Sequence, residues 1–148
     1  AGLKILLVPD LSVVSHYAQA CTAEFARKKP AVLKNYVQAV IHGICLMKCC
    51  KQEAMGVVAG EPMKRMKIAA LDEMESHFDA IVAKLQIKPY PTPQAIAATY
   101  EIACDEYGAQ GINPLALWDL HWVKELDDEG FIDALIKSMS ASQRENNP

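Results

Sequence analysis

The run KPYPTPQAIAATYEIA, from Lys88 to Ala103, decides how this chain is read. Pro89 and Pro91 interrupt whatever precedes them, and an apolar-patterned stretch begins at once. Thr92 reads as an N-cap with Pro93 at the first helical position. The threonine hydroxyl can accept from an amide that has no partner inside the helix, and proline has no amide hydrogen to lose there. Ile96, Tyr100, Ala103 and Tyr107 are expected to form the buried face, with Gly108 as the stop.

Upstream the same signals recur. Leu71, Met74, Phe78, Ile81, Val82 and Leu85 make one stripe, and Asp72, Glu73, Glu75 and Asp79 lie away from it. A shorter helix is expected over residues 52–59, ending at GEP, Gly60 to Pro62. Pro30 sits at a first-turn position, and behind it Leu33, Tyr36, Val37, Val40, Ile41, Ile44 and Met47 return at helical spacing. Arg27 to Lys29 reads as a solvated loop. Leu3 to Val8, closed by Pro9, reads as a short buried strand, followed by a turn and a second extended stretch through about Thr22. Downstream, residues 108–114 read as a loop. Trp118, Trp122, Val123 and Leu126 mark a last helical region, and Gly130 allows a left-handed turn with Phe131 making its hydrophobic contact. Ile132, Leu135, Ile136 and Met139 resume the pattern, and from Ser140 a polar, flexible tail is expected. The chain thus divides into a crossover with short strands over 1–22, a helical part over 23–139 and a tail over 140–148.

Composition excludes several classes. With 148 residues, 51% hydrophobic and 22% charged, the chain can bury a core and is not expected to be disordered. The net charge of −3, with Lys and Arg scattered, argues against a nucleic-acid surface. No apolar run approaches the roughly 20 residues of a membrane-spanning helix. The opening LKILLVP reads as a strand and not as a signal sequence, leaving either a cytoplasmic chain or a processed one. Five cysteines at irregular spacing make no disulfide framework and no CxxC knuckle, and reduced, mainly packed thiols are expected.

Candidate chemistry is sparse. His42, Cys45 and Cys49 share one helical face, but a single straight helix rarely turns three side chains onto one tetrahedral ion, so no metal is expected. No family-type signature surrounds a cysteine, and the Cys–His pairings open to His16, His42, His77 or His121 give no strong nucleophile. Asp127, Asp128 and Glu129 point in successive directions around a helix and read as a solvated face instead of an acid–base pair. Trp118 and Trp122 read as core anchors more than as a stacking platform. GEPMKR lacks the spacing of a phosphate loop. The segment DLSVVSHYAQACTA packs donors and acceptors into one crossover, so Ser12, Ser15, His16, Tyr17 and Gln19 are the candidate ligand-binding or hinge residues, with an ordinary polar turn as the alternative.

Four segments carry a family resemblance. PYPTPQAI resembles the Pro-Tyr-Pro-Ser/Thr-x-x-x-Ile helix start near the end of type II periplasmic-binding-protein relatives, the solute-binding proteins of ABC importers for nitrate, sulfonates, taurine and pyrimidine thiamine precursors. WDLHWVKELDDEGFIDAL is similar to that family's ending. FARKKPAVLKNYVQAVIHGICLMK resembles an upstream helix, and GLKILLVPDLSVVSHYAQAC the crossover between lobes. The resemblance covers nearly all of residues 2–137. It implies an α/β fold of two lobes with a ligand cleft, here represented by a mostly helical C-terminal portion with one or two short N-terminal strands. It also implies a non-enzymatic, extracytoplasmic protein that takes a small polar solute to an ABC permease. MKCC at Met47 to Cys50 does not reproduce the cysteine-rich motif of the related thiamine-precursor synthases. No cofactor is expected. The competing reading is a stand-alone helical domain that self-associates or binds a partner through exposed apolar surface.

Overall fold

The computed structural model describes residues 18–65, 71–113, 115 and 118–146. Among them every regular element is an α-helix: α1 Ala23–Lys28, α2 Pro30–Cys49, α3 Lys51–Val58, α4 Glu61–Arg65, α5 Leu71–Lys84, α6 Pro93–Tyr107, α7 His121–Asp128 and α8 Phe131–Asn146. The strand expected over Leu3 to Val8 lies outside the described residues. No helix among the described residues is long and apolar enough to cross a membrane.

The chain falls into two compact units, Ala1–Thr22 with Pro91–Asp119 and Ala23–Tyr90 with Leu120–Pro148. The second holds the main core. Here α2 packs on α8, α7 and α3, and α7 packs on α8. Ile41 and Cys45 of α2, Leu126 of α7, and Ile132 and Met139 of α8 form one buried cluster. Val37, Leu46, Ile87, Phe131, Leu135 and Ile136 close around it. Each of these helices presents an apolar stripe to the others, which gives short helices the stability that intrinsic propensity does not.

Local signals place several boundaries. Pro30 opens α2. Gly130 has φ +75°, and its amide donates to Asp127 O at 2.9 Å, so the chain reverses between α7 and α8 and sets Phe131 against the core. Other boundaries differ from the sequence reading. Residues 23–28 form α1 where an extended run and a loop were expected. Glu24 in the first turn and Arg27 and Lys28 in the last suit the helix dipole, and Lys28 Nζ meets Glu24 Oε1 at 2.6 Å. A short helix, α4, occupies GEP and the residues after it. Trp118 lies ahead of α7 and not on it, since the helix begins at His121. In the last helix the backbone continues past Ser140 to Asn146, through residues that include good helix formers and no Gly or Pro.

In the first unit, α6 has the expected ends. Thr92 Oγ1 accepts from the Ala95 amide at 3.1 Å, with Pro93 next to it. Caps of this kind are typically worth about 1 kcal/mol. At the other end Gly108 takes φ +66°, and its amide returns to Cys104 O at 3.2 Å, an αL closure. Gln110 Nε2 donates to that same carbonyl at 2.8 Å, and Tyr100 Oη donates to Ala109 O at 3.4 Å. The buried face, however, is not the expected one. Ala95 and Ala98 are buried, Ile96, Tyr100 and Ala103 are half-buried, and Tyr107 is 80% exposed. Large side chains at helical spacing marked the helix correctly but put its inner face in the wrong place.

Candidate functional site

Of the five candidate ligand or hinge residues, Ser12, Ser15, His16 and Tyr17 lie outside the described residues. Gln19 sits in the non-helical stretch 18–22 and is exposed. The structure therefore brings none of them together as a described site.

The polar chemistry that is described gathers at the α7–α8 corner. Glu125 and Glu129, one helical turn apart, both reach Lys34 of α2, at 2.9 and 3.0 Å. Asp127 turns the other way. Its Oδ1 lies 2.6 Å from Lys88 Nζ, and its Oδ2 accepts from Tyr90 Oη at 3.1 Å. Lys88 also reaches Asp133 of α8 at 3.1 Å. Asp128 pairs within the helix with Lys124 at 2.5 Å. Three consecutive acidic residues thus serve three different cations, as the 100° step of a helix dictates.

These pairs shift protonation in one direction. The hydrogen bond from Lys88, with a second from Tyr90, holds Asp127 below the usual carboxylate range against some desolvation. A depressed carboxyl stabilises the fold above its unfolded value, and that contribution is lost as pH falls through the folded value. The Asp127 contacts therefore persist through neutral pH. Lys34, hydrogen-bonded first by Glu125 and then by Glu129, is pushed above the ordinary lysine value and stays charged. None of these groups is poised to exchange a proton near neutrality.

An open depression of about 480 Å³ lies here, lined by His121, Lys124, Glu125, Asp128 and Glu129. The His121 and Trp122 rings sit 4.0 Å apart beside it, tilted by 45°. Its walls are ion-paired side chains open to water, not the mainly apolar, enclosing lining of a small-molecule cleft.

The thiols were the other candidates. Cys45 is fully buried while His42, three residues earlier, is exposed, so the two do not face the same surroundings. Burial, with the neighbouring Cys49, pushes the Cys45 thiol up. Burial, then Glu53 and Cys49, does the same to Cys50. Both shifts oppose thiolate formation, the reverse of what a nucleophile needs. Among the described residues no three His, Cys, Asp or Glu side chains converge on a point suited to a metal. Thiol labelling checks this arrangement. In the native protein a disulfide reagent should titrate exposed Cys21 first and half-buried Cys49 and Cys50 later, with Cys45 reacting only on unfolding. A native Cys45 that reacts as fast as Cys21 would contradict it.

Another polar cluster joins α3 and α5, and sequence reading missed it. Lys51 Nζ reaches Glu75 Oε1 at 2.7 Å and Asp79 Oδ1 at 2.8 Å. The i, i+4 spacing of the two acids was visible, but the cation that they share comes from another helix.

No family model, curated protein or solved structure matches this chain.

Proposed function

We propose that this chain is the C-terminal portion of a solute-binding component of an ABC importer, a non-enzymatic protein that captures a small polar solute between two α/β lobes. The observation that carries this reading is the order of four family-like segments across residues 2–137. Two of them fall on helix boundaries: PYPTPQAI spans the Thr92 cap, and WDLHWVKELDDEGFIDAL spans α7, the Gly130 reversal and the start of α8. In such a protein the hinge opens and closes the lobes around the solute and the closed form is presented to a membrane permease, outside the cytoplasm. The short strands and the crossover with Ser12, Ser15, His16, Tyr17 and Gln19 would line the cleft or hinge. The α7–α8 corner, saturated with its own ion pairs, would be framework.

Calorimetry on the full-length protein carrying this chain tests the reading, with nitrate, alkylsulfonates, taurine and aminopyrimidines as titrants. One of them should give saturable heat, and His16→Ala with Tyr17→Ala should abolish it. Silence from every titrant would overturn the function, whereas unchanged binding in the double variant would overturn only the site.

A second reading, a helical domain that associates through apolar surface, is favoured by one observation. In the second unit Phe25, Val32 and Tyr36 are 42%, 52% and 43% exposed on α1 and α2. Light scattering over a concentration series separates the two: a mass that grows with concentration and reverts in Val32→Glu/Tyr36→Glu supports association, and a constant monomer mass excludes it.

A further inference from the structure

We propose that Lys88–Pro91 is a reversible strap, latched onto the α7–α8 corner through the two oxygens of Asp127. The segment follows α5 and ends where the chain leaves the second unit for the first, between Tyr90 and Pro91. Ile87 anchors its start against the core cluster. Beyond that point the backbone has little to hold it. Pro89 and Pro91 have no amide hydrogen, and the Tyr90 amide is spent inside the strap, on Lys88 O at 2.8 Å. The two side chains between the prolines' flanks do the holding. Lys88 places Nζ 2.6 Å from Asp127 Oδ1 and 3.1 Å from Asp133 Oδ1, while Tyr90 Oη donates to Asp127 Oδ2 at 3.1 Å.

Asp127 is the keystone because both strap residues converge on it. Its side chain is 21% exposed, against 41% for Lys88 and 67% for Asp133, so the Asp127 contacts are the better shielded of the set. Exposed pairs of this kind contribute weakly, and ordering the strap has its own entropic cost. These opposing terms are of comparable size, which makes the contact one that opens and recloses instead of a fixed joint. Both Lys88 and Tyr90 precede proline and are confined to extended conformations, so the released strap stays stiff and detaches as one piece. Lys124 and Asp128, the nearest other charges on α7, pair with each other and leave Asp127 to the strap. The device does not depend on the solute-binding reading.

Hydrogen exchange on the full chain tests it. In Asp127→Asn, exchange of the amides of Ile87, Lys88, Tyr90 and Thr92 should rise by up to about fivefold, the most that an exposed network supports. Amides of α2 and α8 in the core should keep their wild-type protection. In the wild type, about 0.5 M salt should move the same amides in the same direction, since it screens exposed charges. Tyr90→Phe, which removes only the hydroxyl contact, should give a smaller rise than Asp127→Asn. Unchanged strap exchange in Asp127→Asn would overturn the latch, and so would a rise shared equally by α2 and α8.

Discussion

Leu126→Ala should lower the stability of the helical unit by about 2–5 kcal/mol, read as a shift in the urea midpoint at unchanged slope. Leu126 is fully buried on α7, in one cluster with Ile41, Cys45, Ile132 and Met139. Truncation removes its apolar contacts and leaves a space between α2, α7 and α8. That space has limited means to collapse. Lys34 ties α2 to α7 through Glu125 and Glu129, and the Gly130 turn fixes α8 against α7. The upper half of the range is therefore expected. Leu126→Met keeps the volume and should cost less than about 1.5 kcal/mol. Ile81→Ala, at a position 38% exposed, should stay well below the Leu126→Ala loss. A Leu126→Ala loss as small as that of Ile81→Ala would mean that the α2–α7–α8 core is wrongly drawn.

Two glycine-to-alanine changes should act with opposite signs. Gly130 has φ +75°, and a methyl built there meets nothing within 4 Å. Any cost of Gly130→Ala is therefore backbone conformation and not crowding, about 1–2 kcal/mol for an L-residue held in the left-handed region. Gly43 sits inside α2, again with nothing within 4 Å of an added methyl. There alanine removes unfolded-state freedom without strain and should stabilise by about 0.4–1 kcal/mol. Both variants are measured by the same denaturant titration, followed by far-ultraviolet circular dichroism. Equal signs for the pair would mean that the α7–α8 reversal does not take the left-handed form.

These contrasts bear on what the sequence could say. Thr92, Pro93, Gly108 and Gly130 were legible because a cap or a left-handed turn depends on chemistry within a few residues. The long stripe of α2 was legible through Pro30 and the recurrence of Val37 and Ile41. The end of α2 was not. It breaks at Cys50, with φ −129° and ψ 61°, where there is neither glycine nor proline. Yet Cys50 N still donates to Leu46 O and Ala54 N to Cys50 O, so the break leaves the hydrogen-bonding pattern nearly continuous and little local trace. On α6, alanines at i and i+3 outcompete larger neighbours for the inside, a choice made by tertiary packing and not by periodicity. The polar corner was half legible. The acidic run Asp127 to Glu129 stood out, but Lys34 and Lys88, which give it its meaning, are brought from far along the chain. The crossover residues Ser12 to Gln19 were singled out by composition alone, and their arrangement depends on contacts that no local pattern encodes.

The shared core of α2 and α8 also has a consequence during synthesis. Ile41 and Cys45 lie early in the chain, and Leu126, Ile132 and Met139, which cover them, come near its end. A ribosome adding roughly 5–20 residues per second leaves that apolar face of α2 uncovered for seconds. The intervening helices cannot substitute, because the cluster is completed only by α7 and α8. The nascent chain should therefore recruit holding chaperones until its last helices emerge, and early termination within α7 should yield an aggregating product instead of a smaller folded one.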